Sequence, residues 1–437
     1  MAVSAAGAGN YQFVSGQDIY KVHPERTEKA RSIDSNRDLQ LQDEEILDYL
    51  QRNDDMPDPQ LANVNVEKVL KDFKDNLQMK KPESMAVYHS YDQLADQLDQ
   101  LQQQYPNLAK RVSLGQTHEG REIYALKVTN NVASDSTAKP AVVVTGCHHA
   151  REWATTEVPM SIAREVLAEY SSSEAGKSRL DNNEIWFVPV VNPDGYTYSR
   201  EQDSWWRKNR RPIEETPCGP TTGNPVGVDL NRNYADNNPE HATIYRPAGD
   251  EPCNYRDDGR ATSDNPFRDT YRGPSGASEI EIQKLLELEL NHGNVKGVLD
   301  FHSYGGMILY PWGHENKEVE NVETYRAVGT KMNDALGDTR YRLMQSIGLY
   351  PTSGGSHDIH HANGVFSITM EIGDSFHPSE EELGPIVERT TRAGKVFVDE
   401  VFAMNHTPDP DPDPDPDPDP DPQPSPPWYD RCNPFKS

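Results

Sequence analysis

No run of about 18 consecutive apolar residues, the length a membrane-spanning helix needs, occurs in the 437 residues, so no span is expected. Positive charge is also scarce: 43 Lys and Arg stand against 71 Asp and Glu, a formal charge of −28. That imbalance repels nucleic acid and anionic membranes at long range, and neither is expected as a partner. Apolar residues reach only 34%. Because the polar stretches lie at both ends, the chain reads as one large domain with weakly folded flanks. Met1 to Asn10 has neither the basic start nor the long apolar stretch of a secretory signal, so export is not visible in the sequence. There are only four cysteines, Cys147, Cys218, Cys253 and Cys432, and they permit three complete pairings. A bridge between Cys218 and Cys253, both in Pro- and Gly-rich surroundings, would restrict the unfolded chain by roughly 4 kcal/mol. Two reduced thiols are the alternative.

Along the chain, residues 1–83 form an acidic N-terminal segment with helix signals at Asp43–Arg52 and Val66–Gln78. Residues 84–406 form the candidate domain. Tyr91–Tyr105 has helical spacing, Glu122–Val128 reads as a short strand, and the apolar run AVVVT within Lys139–Thr145 suits a strand buried on both faces. A helix is expected over Trp153–Tyr170 and another over Ser278–Asn291. Further buried strands are expected at Glu184–Val191, Val295–Phe301 and Val365–Ile372. Strands interleaved with helices give an α/β fold class with a mixed, mostly parallel central sheet flanked by helices. In the tail, residues 407–437, Asp and Pro alternate from Pro408 to Pro422, which predicts an extended spacer without helix or ladder bonds.

His149 and Glu152 lie three apart where a strand turns into a helix, a spacing that lets an imidazole and a carboxylate face one ion. Such a pair alone is a weak signal. A catalytic zinc site takes three protein ligands and keeps a fourth position for water. His302, closing the run VKGVLDF, supplies the third at the carboxyl end of a strand, where functional groups of open α/β sheets gather. Glu371, at the end of FSITM, stands at the same edge. Each residue taken singly reads as an ordinary polar group at a strand end.

Together they resemble the carboxypeptidase A/B family of zinc metallocarboxypeptidases, over roughly Tyr88–Asn405. The motifs occur in family order: HAREW at 149–153, WRKNR at 206–210, GVDLNRNY at 227–234, FHSY at 301–304, Tyr350 followed by SGGS at 353–356, and TMEIG at 369–373. The resemblance implies one zinc ion per chain held by His149, Glu152 and His302, with Asp229 orienting His149. It implies Glu371 as general base and Arg207 as the group that stabilises the oxyanion. Asn231, Arg232 and Tyr350 would hold the terminal carboxylate of a peptide or protein substrate, and Arg151 and Tyr304 would line neighbouring subsites. A guanidinium matches a carboxylate with two donors, which suits recognition of a free C-terminus.

In the family the residue after SGGS lies at the base of the pocket for the last side chain. It is commonly apolar or acidic there, and here it is His357. Asp300 also falls at a pocket position, where an acid could pair with Lys or Arg or be neutralised by His357; with Gly313 and Thr352 leaving room, broad specificity is expected, with basic termini included. The size of residues 1–83 is similar to that of the family's inhibitory pro-segments, a plain flexible extension being the alternative. The resemblance further implies a secreted or extracellular protein, and a monomer is expected. A binding protein that keeps the fold without the chemistry would lack a ligand or the base, whereas all four residues are present. Tyr350 and SGGS favour the carboxypeptidase branch over relatives acting on cell-wall peptides.

Overall fold

The computed structural model describes residues 12–14, 40–52, 66–78, 88–134, 138–213, 226–245, 261–337 and 339–406. The expected Cys218–Cys253 bridge and the Asp-Pro tail lie outside the described residues, within which Cys147 is a buried free thiol.

In chain order the elements are β1 (Gln12–Val14), β2 (Gln40–Gln42), α1 (Asp43–Arg52), α2 (Val66–Gln78), α3 (Tyr91–Gln104), β3 (Ala109–Gln116), β4 (Glu122–Val128) and β5 (Ala141–Gly146). There follow α4 (Ala154–Ser172), α5 (Glu174–Asn182), β6 (Glu184–Val188), α6 (Pro193–Glu201), α7 (Ala242–Tyr245), α8 (Ile280–Glu289), β7 (Val295–Ser303) and β8 (Met307–Tyr310). The chain continues through α9 (Val322–Ala335), β9 (Arg342–Gln345), α10 (Ser356–Ala362), β10 (Phe366–Ile372) and α11 (Glu380–Asn405). Eight strands make one mixed sheet in the order β3-β4-β6-β5-β7-β10-β8-β9. Its centre, β6-β5-β7-β10, is parallel throughout. The antiparallel pairs lie to either side of it.

Local chemistry explains the main elements. All six residues of β5 are buried because helices cover both faces. On one face Val142 and Val144 join Ile162, Val166, Phe397 and Val401 from α4 and α11. On the other, Ala141 and Val143 join Ile282 and Leu285 of α8 and Ile359 of α10. Helix α3 starts at a reciprocal Ser90–Gln93 capping box and buries Leu94, Leu98 and Leu101, spaced to share one helix face. The strand expected to reach Val191 ends at Val188, since Pro189 has no N–H for the ladder. Within the N-terminal segment the structure adds order that composition did not reveal. Ile46, Tyr49 and Leu50 of α1 and Val69, Leu70 and Phe73 of α2 pack against Trp205, Tyr304 and Phe376.

Chain direction opens a crevice at the sheet centre. From β5 the chain crosses through α4 and α5 to β6 on one side, whereas β7, on the other side of β5, leads on to β8 and β10. Connections that diverge from two adjacent parallel strands leave space beyond their carboxyl ends. In register, Gly146 of β5 pairs with Phe301, and His302 pairs with Glu371 of β10.

Candidate metal centre and active site

Beyond β5 the chain turns sharply into α4. Gly146 permits this because a Cβ there would lie 2.2 Å from the Thr155 carbonyl oxygen. The Cys147 N–H donates to Thr155 Oγ1 at 3.0 Å, and the Glu152 N–H donates to the His149 carbonyl at 3.1 Å. This tight turn presents both side chains to one point. His149 Nδ1 lies 2.6 Å from Glu152 Oε1 and 3.2 Å from His302 Nδ1, and His302 Nδ1 lies 3.1 Å from Glu152 Oε2. Among the described residues, this buried trio is the one group whose ligand atoms lie close enough to share an ion, all within 4.8 Å of one another.

The donor set fits a divalent cation. Burial, followed by the charge of Arg207, pushes His149 down to about 4, against the opposing pull of Glu152 and Asp229. Burial, aided by Arg207 and Arg232, pushes His302 down to about 4 although Asp300 opposes it. Both imidazoles are therefore neutral near pH 7. Donation from His149 Nε2 to Asp229 Oδ1 at 3.1 Å turns the Nδ1 lone pair of that ring toward His302 and Glu152. Two neutral nitrogens and one carboxylate make the mixed N and O set that zinc accepts, with room for a fourth ligand.

Asp229 links this trio to a guanidinium. Its Oδ2 accepts from Arg207 Nε and Nη2, each at 2.9 Å, while Oδ1 accepts from the Asn231 N–H at 3.1 Å. Burial would raise the Asp229 pKa, but Arg207, His149 and Arg232 together hold it well below the carboxylate range. Asn231 Nδ2 is 3.2 Å from His302 Nε2, and its Oδ1 accepts from the Ser356 N–H at 2.9 Å. Arg232 donates from Nη1 to the Asn231 carbonyl at 2.8 Å and from Nε to the Ala261 carbonyl. Gly354, at φ 67°, is required beside it, since a Cβ would sit 2.1 Å from the Arg232 carbonyl oxygen. The His149, Glu152, His302, Asp229, Arg207, Asn231 and Arg232 side chains thus converge on one crevice. Glu371 stands level with His302 on the adjoining strand.

Other expected residues sit around this centre. The Arg151 guanidinium lies 4.5 Å over the Phe376 ring and 3.6 Å from Asp269 Oδ2. Tyr304 meets the same ring edge-on at 4.7 Å. Tyr350 packs half-buried against Met307, Leu309 and Leu349. Asp300 departs from its expected place as an open acid for a basic side chain. Its two oxygens accept the Thr145 and Ser356 hydroxyls in the layer beneath His302. Nor is His357 its neutralising partner, because the carboxylate nearest His357 Nε2 is Asp358, whose Oδ1 is 3.3 Å away. Sequence reasoning missed Asp358, which accepts from the Gly313 and His314 N–H groups and from His314 Nδ1 at 2.7–2.9 Å. It also missed Phe376 and Trp205, which form the wall under α1 and α2. Their place in the segments DSFHP and DSWWR carries no periodic signal.

Sheet, crevice and trio define a metallopeptidase-like centre. A model of the zinc carboxypeptidase family matches residues 65–393. Mouse carboxypeptidase A4 is 30% identical over 324 residues, covering 72% of this chain and 70% of that protein. Bovine carboxypeptidase A1 is 29% identical over 295 residues, covering 66% of this chain and 63% of that protein. The crystal structure of carboxypeptidase A from Helicoverpa armigera superposes with a TM-score of 0.61 at 25% identity, covering 78% of this chain and 81% of that one. That of thrombin-activatable fibrinolysis inhibitor gives 0.62 at 24% identity, with 76% and 78% covered, and shares the fold. The chain belongs to the zinc carboxypeptidase family and is, by that membership, a hydrolase of the metallopeptidase class. Among the described residues no helix is long and apolar enough to cross a membrane.

Proposed function

We propose that this chain removes single residues from the C-terminal ends of peptides and proteins, with zinc held by His149, Glu152 and His302. The observation that carries the reading is the buried trio, joined through Asp229 to Arg207, with Glu371 in register beside His302 on the adjoining strand. Bound there, zinc supplies a water whose pKa falls from about 15.7 to about 7. Glu371 takes a proton from the attacking water and passes it to the leaving amine as the C–N bond breaks. Arg207, held by Asp229, directs positive charge at the carbonyl oxygen as negative charge develops on it. Asn231, Arg232 and Tyr350 grip the terminal carboxylate, and Arg151 and Tyr304 contact residues on the other side of the scissile bond. Asp229 keeps His149 in the tautomer a ligand needs. Residues 1–83 restrain this site through α1 and α2, a reading supported by their contact with Tyr304 and Phe376.

Peptides with free or amidated C-termini, assayed with and without a zinc chelator, test the proposal. Release from free termini only, abolished by chelation, is expected. Glu371→Gln should lower kcat by about 10²–10⁴-fold while zinc content, read by mass spectrometry, stays at one per chain. Equal release from amidated peptides, or full activity in Glu371→Gln, would overturn it.

A further inference from the structure

Helix α10 has seven residues, too few to hold itself in water, so its first residue is placed by what the helix touches. That residue, Ser356, bears on the site because its N–H, left unused at the start of the helix, donates to Asn231 Oδ1 at 2.9 Å. With the oxygen end of the carboxamide taken, Nδ2 is turned toward His302, 3.2 Å from Nε2. A carboxylate needs donors, so this is the end of Asn231 that can serve it.

The Ser356 hydroxyl is fixed from behind. Its proton goes to Asp300 Oδ2, so its oxygen accepts from His360 Nδ1 at 3.2 Å, while His360 Nε2 lies 2.9 Å from Glu289 Oε2 on α8. Both ring nitrogens thus act as donors, the pattern of an imidazolium. Burial would lower the His360 pKa, but Glu289, followed by Asp300, holds it above the ordinary value. Glu289, His360, Ser356 and Asp300 are all buried. Packed apolar side chains would join α8 to α10 as well or better, but they would leave the Ser356 hydroxyl without its donor.

We infer that the His360–Glu289 pair positions Asn231 for the terminal carboxylate of the substrate, acting through Ser356 and without touching substrate itself. The inference rests on the carboxypeptidase reading above and adds two residues that this reading does not use. Glu289 fixes the ring through Nε2, which points Nδ1 at the Ser356 hydroxyl; Ser356, held between His360 and Asp300, keeps its N–H on Asn231 Oδ1. Without the pair, the start of α10 loses one of the two hydrogen bonds of the Ser356 hydroxyl, and the carboxamide its fixed orientation. The effect belongs to binding of the carboxylate rather than to the chemical step, so it should be read in KM.

The test uses the full chain, before and after limited proteolysis ahead of Tyr88, with kcat and KM measured for release of the last residue from a peptide with a free C-terminus. Glu289→Leu/His360→Phe replaces the pair by apolar groups, a change that folds often tolerate. His360→Gln keeps a donor for Glu289 and loses the one for Ser356, so it serves even where the double variant fails to fold. Both should raise KM about tenfold, the weight of one hydrogen bond to a charged group. Over the same variants kcat should stay within about twofold of the parent, with zinc content unchanged. In chain already carrying Asn231→Ala, neither change should raise KM further, because groups that act through one another are not additive. An unchanged KM in His360→Gln, or a rise of the same size in the Asn231→Ala background, overturns the inference and leaves the carboxypeptidase reading standing. No release by the zinc-loaded parent overturns that reading and the inference with it.

Discussion

Single side chains at this centre carry two duties, and Asp229 is the clearest case. One of its oxygens faces His149 and the other holds Arg207. Asp229→Asn keeps the shape but removes the charge, and with it the fixed tautomer of His149. Zinc affinity should fall by about 10–100-fold, measured by competition with a chromophoric chelator. An unchanged affinity would make Asp229 a mere loop cap. His302 and Glu371 were legible as groups at one sheet edge because each lies at the end of an apolar run, whereas His149 and Glu152, in the turn from β5 to α4, stood out only through the three-residue spacing and the family motifs. The engagement of Asp300 was not legible. Its partners, Thr145 and Ser356, are 155 and 56 residues away in the chain, a distance across which no local pattern reports. The buried His360–Glu289 pair, 2.9 Å apart and joining α10 to α8, was hidden for the same reason.

At the scale of elements, the central strands were readable from apolar runs alone, and α1 and α2 from their spacing. The longest helix, α11, was not. Its buried Leu383, Ile386, Phe397, Val401 and Phe402 are interleaved with charges and with Pro385, which dilutes the helical signal. Strand β8 and the edge strand β9 are four residues each, too short for alternation to register. What α1 and α2 do depends on tertiary contacts that no periodicity reports. Phe73 meets the Trp205 ring edge-on at 4.8 Å, and Lys68 pairs with Asp374 at 3.4 Å and Glu382 at 2.6 Å. The ion pairs are partly exposed and add little, so the aromatic contact should dominate the docking. Phe73→Ala removes a buried ring, a change that costs about 3–5 kcal/mol in a core and less where a docked segment can separate. Faster proteolytic release of the N-terminal segment and higher peptide turnover by the full chain are expected. Faster release without any gain in turnover would mean that α1 and α2 do not restrain the site.

For the whole molecule, acid stability offers a test independent of activity. Burial would raise the pKa of Asp358, but His357, His314 and the Gly313 N–H hold it below its ordinary value. A carboxylate depressed in the fold contributes stability that is complete above its unfolded pKa, about 3.9, and is lost as pH falls through the folded value. Asp358→Asn should therefore melt at a lower temperature near pH 7, by the equivalent of about 1–3 kcal/mol, with the gap to the parent narrowing below about pH 4. Thermal melts across pH 3–7 would show it, and a gap independent of pH would refute it. The shared carboxylate of Asp229 has a consequence on the same scale. Because it joins His149, the proposed zinc ligand, to Arg207, the guanidinium proposed to meet the substrate carbonyl, occupancy by zinc and occupancy by a carbonyl-bearing inhibitor become, under the proposed function, thermodynamically reciprocal. Whatever factor zinc adds to the inhibitor's affinity, the inhibitor must return to zinc, so a tight inhibitor should slow zinc loss to a chelator as well as block the enzyme.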